Sequence, residues 1–270
     1  MADNPRPAAR IVQAARGMHR TLRRAFVLAV ILTTGTRAAG AQPPPPPAPA
    51  GPPPPWTGSA AFGLSLNRGN TATTNLNVSG EATNDPKTGS VWKFKGLYLR
   101  GKDNGTLAVD RLNLEGRNER ALTDRVYAFG QLQFLEDQFK QIDYLWAPSV
   151  GAGYKLIATP VTSFNVDGGL GAKVEKNPDR LRRTDPVVTA SDKLEYKLSS
   201  SATLTEGFGS LWKLTDFGDA LYTLTAGLAA ALTARTQLKV ELLDTYATRP
   251  PTALVKSNDA AILTAVVYKF

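Results

Sequence analysis

Residues 260–270 read AAILTAVVYKF, and stepping back two at a time from Phe270 gives Tyr268, Val266, Thr264, Ile262 and Ala260, an apolar row with an aromatic end. Side chains alternate across a strand with period two, so this row meets one environment while Lys269, Val267, Ala265 and Leu263 meet another. Outer-membrane barrels carry such a strand at their carboxyl end, where Tyr268 and Phe270 would be the pair read by the barrel-insertion machinery. A strand of a soluble sandwich fits the same row, so the rest of the chain has to decide.

The pattern repeats upstream. Phe164, Val166, Gly168, Leu170, Ala172 and Val174 share one face, and Asn165, Asp167, Gly169, Gly171, Lys173 and Glu175 share the other. A soluble strand has a mode near 5 to 6 residues, whereas a tilted span across a bilayer needs roughly 9 to 11. The same reading predicts strands at Trp56–Leu66, Ala72–Thr83, Val91–Arg100, Leu107–Asn118, Val126–Leu135 and Ile142–Leu156. Six more are predicted at Ser163–Glu175, Val187–Leu198, Thr203–Leu214, Leu221–Leu232, Thr236–Tyr246 and Asp259–Phe270. Twelve is an even count, which lets both ends of the barrel segment sit in the periplasm. The expected fold is an all-β, antiparallel transmembrane barrel of about twelve strands, with short periplasmic turns and longer outer loops. Ser199-Ser200-Ser201 and Thr233-Ala234-Arg235 read as tight turns, and Lys176 to Pro186 and Ala247 to Asn258 as long, proline-bearing loops. Asn84 to Ser90 is long for a periplasmic turn, and Asn67 to Asn70 is short for an outer loop.

The amino end supplies a compartment. Arg16, Arg20, Arg23 and Arg24 precede an apolar run from Ala25 to Leu32, followed by Ala39-Gly40-Ala41. This is the order of a secretory signal, so residues 1–41 are expected to be removed, with Met18 a candidate true start. The apolar run is far short of the roughly 20 residues of a spanning helix. Residues 42–55 contain ten prolines and read as an extended periplasmic linker. The barrel domain is expected over 56–270.

Removing the signal changes what the composition excludes. The formal charge of +9 falls to +3, with twenty-five basic against twenty-two acidic residues, so nothing here calls for a nucleic-acid partner. The single histidine, His19, and both methionines leave with the signal, and the chain has no cysteine. Imidazole- and thiolate-based catalysis is therefore disfavoured, together with the usual zinc, haem and iron-sulfur ligands. No enzyme activity, cofactor or metal is expected. Gly151-Ala152-Gly153 and Gly168-Gly169-Leu170-Gly171 lie inside alternating strands and open no helix, so they are no dinucleotide fingerprint.

A charge facing hydrocarbon near the midplane costs roughly 2 to 4 kcal/mol for Arg or Lys, which assigns the charged faces to the lumen. The candidate lumen residues are Arg111, Asn113, Glu115, Arg117, Asp167, Lys173, Lys193, Glu195, Lys197, Lys239 and Glu241. Their mixed signs fit either a plugged interior of ion pairs or a narrow water-filled path, with the closed interior favoured. Trp56, Trp92, Tyr98, Tyr127, Trp146, Tyr154, Trp212, Tyr222, Tyr246 and Tyr268 are candidate interface girdle residues. Lys176, Arg180, Arg182 and Arg183 form a basic outer loop that could meet lipopolysaccharide phosphates, though a solvated loop explains the run as well.

Gly69-Asn70-Thr71, Asp137-Gln138-Phe139 followed by Asp143-Tyr144, Gly151-Ala152-Gly153-Tyr154 and the ending Val266-Val267-Tyr268-Lys269-Phe270 occur here in order. In these motifs the chain resembles the salt-induced outer-membrane protein family, a domain of unknown function, over nearly all of 56–270. The resemblance implies an outer-membrane barrel among lipid and lipopolysaccharide, possible induction by salt stress, and no catalytic residue. The expected role is structural or the passage of small solutes and ions. Two alternatives stay open: a soluble periplasmic β-protein that binds an envelope partner through the proline segment, and a histidine-independent outer-membrane hydrolase.

Overall fold

The computed structural model describes residues 56–67, 73–138, 140–178, 180–250 and 255–270. The signal, the linker and Gly69-Asn70-Thr71 lie outside the described residues. Every regular element described is a strand. The first six are β1 (Trp56–Asn67), β2 (Thr73–Asn84), β3 (Ser90–Asp103), β4 (Thr106–Ala121), β5 (Val126–Asp137) and β6 (Ile142–Ala158). They are followed by β7 (Thr162–Lys176), β8 (Arg183–Lys197), β9 (Ala202–Lys213), β10 (Asp216–Ala231), β11 (Thr236–Ala247) and β12 (Asn258–Lys269). Each pairs antiparallel with its sequence neighbour, and β1 pairs with β12 to close the barrel. Through Ser59–Phe62 and Val266–Lys269 this closure leaves no free sheet edge, which hydrocarbon does not tolerate.

Several strands run further than the sequence suggested, because ladder bonds carry them beyond their apolar stretch. β3 and β4 extend to a two-residue hairpin at Asn104-Gly105, both with positive φ (47° and 80°), in place of a six-residue loop. Asn-Gly suits the twist of two paired strands at such a turn. β9 and β10 likewise close through Leu214-Thr215. Pro186 is not in a loop: β8 begins at Arg183, and Pro186 pairs with Ala172 of β7. The connections at this far rim are therefore not uniformly long.

At the other, near rim, four turns repeat one device. The hydroxyls of Thr123, Thr159, Ser199 and Thr233 each accept a backbone N–H from two or three residues ahead, at 2.8 to 3.2 Å. These side-chain bonds mimic a backbone turn and fix where each hairpin reverses.

The pleat sorts the side chains. Phe62, Leu64, Val150, Leu170, Leu228, Val240, Ile262 and Val266 stand outward and exposed, as a lipid-facing belt requires. Aromatics border the belt in two rows. Near the rim that carries Trp56 and Phe270, Trp92 stacks on Phe94 and Phe94 on Trp56. Toward the far rim, Phe134 meets Trp146 at 4.7 Å between centroids, and the Trp212 indole N–H donates to the Tyr222 hydroxyl at 3.0 Å. Tyr127 belongs to neither row. It shares its face with Phe129 and Gln131, so it points inward and is buried.

Inside, the far half of the barrel is filled. Leu135, Ile142, Leu145, Ala147, Val187 and Leu211 form a buried apolar cluster from β5, β6, β8 and β9. On the wall of β5–β7, glycine makes the packing possible. A Cβ on Gly153 would lie 2.2 Å from the Tyr127 ring, and one on Gly151 2.8 Å from the Phe129 ring. The two rings thus lie directly against bare strand backbone.

Candidate functional site

The lumen is crossed by charged side chains at two levels. In the near half, Arg117 of β4 is a hub. Its guanidinium donates to Glu119 (2.8 Å), to Gln131 of β5 (2.7 Å) and to Asp167 of β7 (2.8 Å), and it stacks 3.9 Å over the Phe129 ring. Asp167 also accepts from the Ser191 hydroxyl of β8 at 2.7 Å and the Tyr127 hydroxyl at 3.3 Å. One guanidinium and one carboxylate thereby tie β4, β5, β7 and β8 together through the interior. Charge-assisted bonds of this kind are roughly twice as strong as neutral ones.

In the far half two further cations bridge the walls. Arg111 of β4 donates to the Thr245 hydroxyl of β11 at 3.1 Å, and its Nε lies 3.9 Å from the Asp137 carboxylate with no hydrogen bond of its own. Lys140, from the β5–β6 connection, turns inward until only 3% of its side chain is exposed. Its ammonium group donates to the Thr245 carbonyl at 3.3 Å and lies 3.2 Å from the Asp259 carboxylate. Thr245 itself is 1% exposed, so both cations converge on one buried point. The apolar cluster around Val187 packs the same end of the lumen.

Between and below these struts the walls carry balanced pairs. Lys93 meets Glu119 at 2.6 Å, Lys95 meets Glu115 at 3.6 Å, Lys239 meets Glu241 at 2.5 Å, and Lys173 meets Glu175 at 3.0 Å. Asn113 and Lys193 share these inward faces, and Glu195 follows at the next inward position. Lys193 and Glu195 are exposed to the lumen, so this part of the interior is open to water. Lys197 reaches the near rim, where it donates to the Pro160 carbonyl at 2.8 Å. Where β1, β2, β3, β11 and β12 face the lumen, the space between Ala61, Asn77, Leu97, Glu241, Leu263 and Ala265 is about 20 Å³. That is room for one water molecule.

Tyr268 is exposed on the outer face, and its hydroxyl accepts from Arg235 at 3.4 Å. Phe270 exchanges two backbone bonds of 3.1 Å with Gly58. In the basic loop, Lys176 bends back onto the Asn177 and Arg180 carbonyls, Arg183 lies 3.9 Å from Asp185, and Arg182 is exposed.

Sequence reasoning did not single out Lys140, Thr245 or Asp259, whose convergence depends on which walls face each other across the barrel. It also passed over a pair on the outside. Asp192 of β8 has the outward parity of Leu194, and Glu206 of β9 lies opposite Leu194. The two carboxyls are therefore diagonal neighbours on the lipid-facing wall. Asp192 stands midway between Val188, opposite Trp212, and Tyr196. The alternation of β8 held this signal, since Lys193, Glu195 and Lys197 inward force Asp192 outward.

Residues 60–270 match the family model described as "Protein of unknown function, DUF481". The uncharacterized protein YdiY of Escherichia coli (strain K12) is 26% identical over 204 residues, covering 75% of this chain and 78% of that protein. Among solved structures, the COG4313 outer membrane channel from Pseudomonas putida F1 superposes with a TM-score of 0.50 at 13% identity, covering 85% of this chain and all of that one. The translocator domain of the autotransporter NalP from Neisseria meningitidis superposes with a TM-score of 0.45 at 15% identity, covering 96% and 98%. The likeness to the channel is one of fold: a closed barrel of the kind found in outer membranes.

Proposed function

The chain belongs to the DUF481 family of proteins of unknown function, and from that premise we propose that it is an integral outer-membrane barrel with a narrow path for small ions, closed near its far rim. The near rim faces the periplasm and the far rim faces outward. The observation that carries this reading is the pair of cations spanning the lumen, Arg111 from β4 to β11 and Lys140 onto Thr245 and Asp259. Two features favour a closure that can open. The Arg111 Nε is buried without a hydrogen bond, and the near half of the lumen keeps Lys193 and Glu195 exposed. Charges of alternating sign suit passage of small ions of either sign better than selection of one.

The role carries no catalytic step. Salt stress is the proposed inducing condition, and Arg180, Arg182 and Arg183 are proposed to lie against lipopolysaccharide phosphates. Replacing those three with Ser would leave that contact idea without support if lipopolysaccharide retention were unchanged.

The test is single-channel recording in planar bilayers. The wild type is expected to give small or rare current steps, and Arg111→Ala with Lys140→Ala to give larger and more frequent ones. Wide, steady steps from the wild type would overturn the closure. A double variant as silent as the wild type would favour a structural barrel without a path.

A further inference from the structure

Two of the near-rim turns share more than a hydroxyl. Ala121-Leu122-Thr123-Asp124-Arg125 and Ala231-Leu232-Thr233-Ala234-Arg235 repeat the pattern Ala-Leu-Thr-x-Arg. Each threonine hydroxyl accepts the arginine N–H and the one after it, and each leucine N–H donates to the carbonyl of Val126 or Thr236. Each arginine carbonyl in turn accepts a lysine N–H from the strand beyond the hairpin, Lys155 on β6 or Lys269 on β12. The matching bonds of the two turns agree to within 0.1 Å. Before each lysine stands a tyrosine, Tyr154 opposite Val126 and Tyr268 opposite Thr236. One turn joins β4 to β5 and the other β10 to β11, six strands apart in a ring of twelve, so they lie on opposite sides of the rim.

The reversal itself does not require these side chains. The β8–β9 turn is fastened the same way by Ser199, with Ser201 in the arginine place and Ala230-Ala231 in the place of Tyr-Lys. The β6–β7 turn keeps Tyr196-Lys197 but has Val161 in the arginine place. What the two full turns share is chemistry on the outer surface. Leu122 and Leu232 are 60% and 61% exposed, continue the outward parity of β4 and β10, and stand level with Tyr154 and Tyr268. Among the described residues neither Arg125 nor Arg235 has an ion pair, whereas Arg111, Arg117, Arg183 and Arg249 each have one. Arg235 donates instead to the Tyr268 hydroxyl, which keeps its own proton free for another acceptor. An exposed leucine at the aromatic girdle, with an unpaired guanidinium and a phenol beside it, matches the acyl edge and the phosphate of a membrane lipid. Lys155 and Lys269 add a second cation to each turn. Asp124 and the Phe270 carboxyl each offset one of these charges and leave both turns net positive, which favours an anionic headgroup over a zwitterionic one. We propose that the two Ala-Leu-Thr-x-Arg turns are paired headgroup sites for an anionic phospholipid of the periplasmic leaflet. This rests on the orientation given above, with the near rim in the periplasm, and is independent of the ion path.

The experiment mixes the intact barrel, in mild detergent, with phosphatidylglycerol or with phosphatidylcholine of the same acyl chains and counts retained lipids by native mass spectrometry. The expected result is two tightly held phosphatidylglycerols and no comparable phosphatidylcholine. Arg125→Gln and Arg235→Gln should each weaken one of the two by about five-fold, the effect of one basic group at an anionic surface, and the double variant should weaken both. Arg100→Gln with Lys102→Gln removes two exposed cations from the far end of β3 and should change nothing. Equal retention of the two lipids would overturn the proposal. A β3 variant weakened as much as the double variant would overturn it too, since net charge alone would then explain the binding. Heat-modifiable gel mobility shows that each variant is folded. Orientation is read separately: the chain has no cysteine, so Ala234→Cys marks the second turn, and an impermeant maleimide applied to intact cells should leave it unlabelled. Labelling there would overturn the orientation and the periplasmic source of the lipid, whatever the retention in detergent.

Discussion

Replacing Gly153 with Ala should unfasten the near-half hub without touching any charged residue. The added Cβ would lie 2.2 Å from the Tyr127 ring carbon Cζ and 2.4 Å from its hydroxyl, so the ring must leave its seat. With it go the Tyr127 hydroxyl bond to Asp167 and the contact to Arg117, whose guanidinium is 5.9 Å from that ring. The bond to a charged acceptor contributes about 1.5 kcal/mol, at the low end because it is long. Displacing the ring from its cation removes about 1 kcal/mol. The Gly→Ala change returns about 0.5 kcal/mol by restricting the unfolded chain. The net loss is about 2 kcal/mol, read as a lower urea midpoint in lipid vesicles followed by tryptophan fluorescence. A cycle with Tyr127→Ala isolates the cause, because once the ring is gone the added methyl should cost nothing further. Gly153→Ala within about 0.5 kcal/mol of the wild type, or equal losses in both backgrounds, would refute the packing argument.

Removing the outward carboxyls with Asp192→Leu and Glu206→Leu should stabilise the barrel in vesicles by about 1 kcal/mol each, because lipid-facing charge is destabilising in proportion to its depth. A loss of stability in the same urea titration would mean that something other than lipid covers that wall. Phe270→Ala, which strips the terminal aromatic ring packed over Gly58, should lower the fraction of protein reaching the heat-modifiable, membrane-inserted form, measured by gel mobility against total protein. In the β2–β3 connection the Lys87 ammonium and backbone N–H hold the exposed Asp85 carboxyl below the usual carboxylate range. Lys87→Ala should therefore raise that titration as followed by carbon NMR, with only a small loss of stability, present at neutral pH and vanishing as the pH falls through the Asp85 range, because the pair is largely solvent-screened.

The twelve strands were legible because a sheet buried in lipid on one side and polar on the other writes its period directly into the sequence. β7 shows this best: Phe164 through Val174 on one face and Asn165 through Glu175 on the other needed no tertiary information. Strand ends were less legible. Ladder bonds continue past the apolar stretch into the water layer, so Gly101 to Asp103 and Thr184 to Pro186 read as loop and fold as strand. Tyr127 shows a different limit. Its ring type suggested the membrane interface, and only its parity with Gln131 and Gln133 places it inside. The cross-lumen contacts were out of reach, because the meeting of Arg111 with Thr245 depends on the stagger around the whole barrel, which no local pattern encodes. Asp192 was readable from the parity of Lys193 but conflicts with a uniformly apolar outer wall.

The four hydroxyl-fastened turns at the near rim have an evolutionary reading. Each hairpin carries its own reversal signal within a handful of residues, so a pair of strands is a self-contained cassette. A barrel assembled from such cassettes can gain or lose a hairpin by duplication or deletion without rewriting its neighbours. Only the stretch where first meets last must be renegotiated each time, and in this molecule that stretch is the one left partly unstitched.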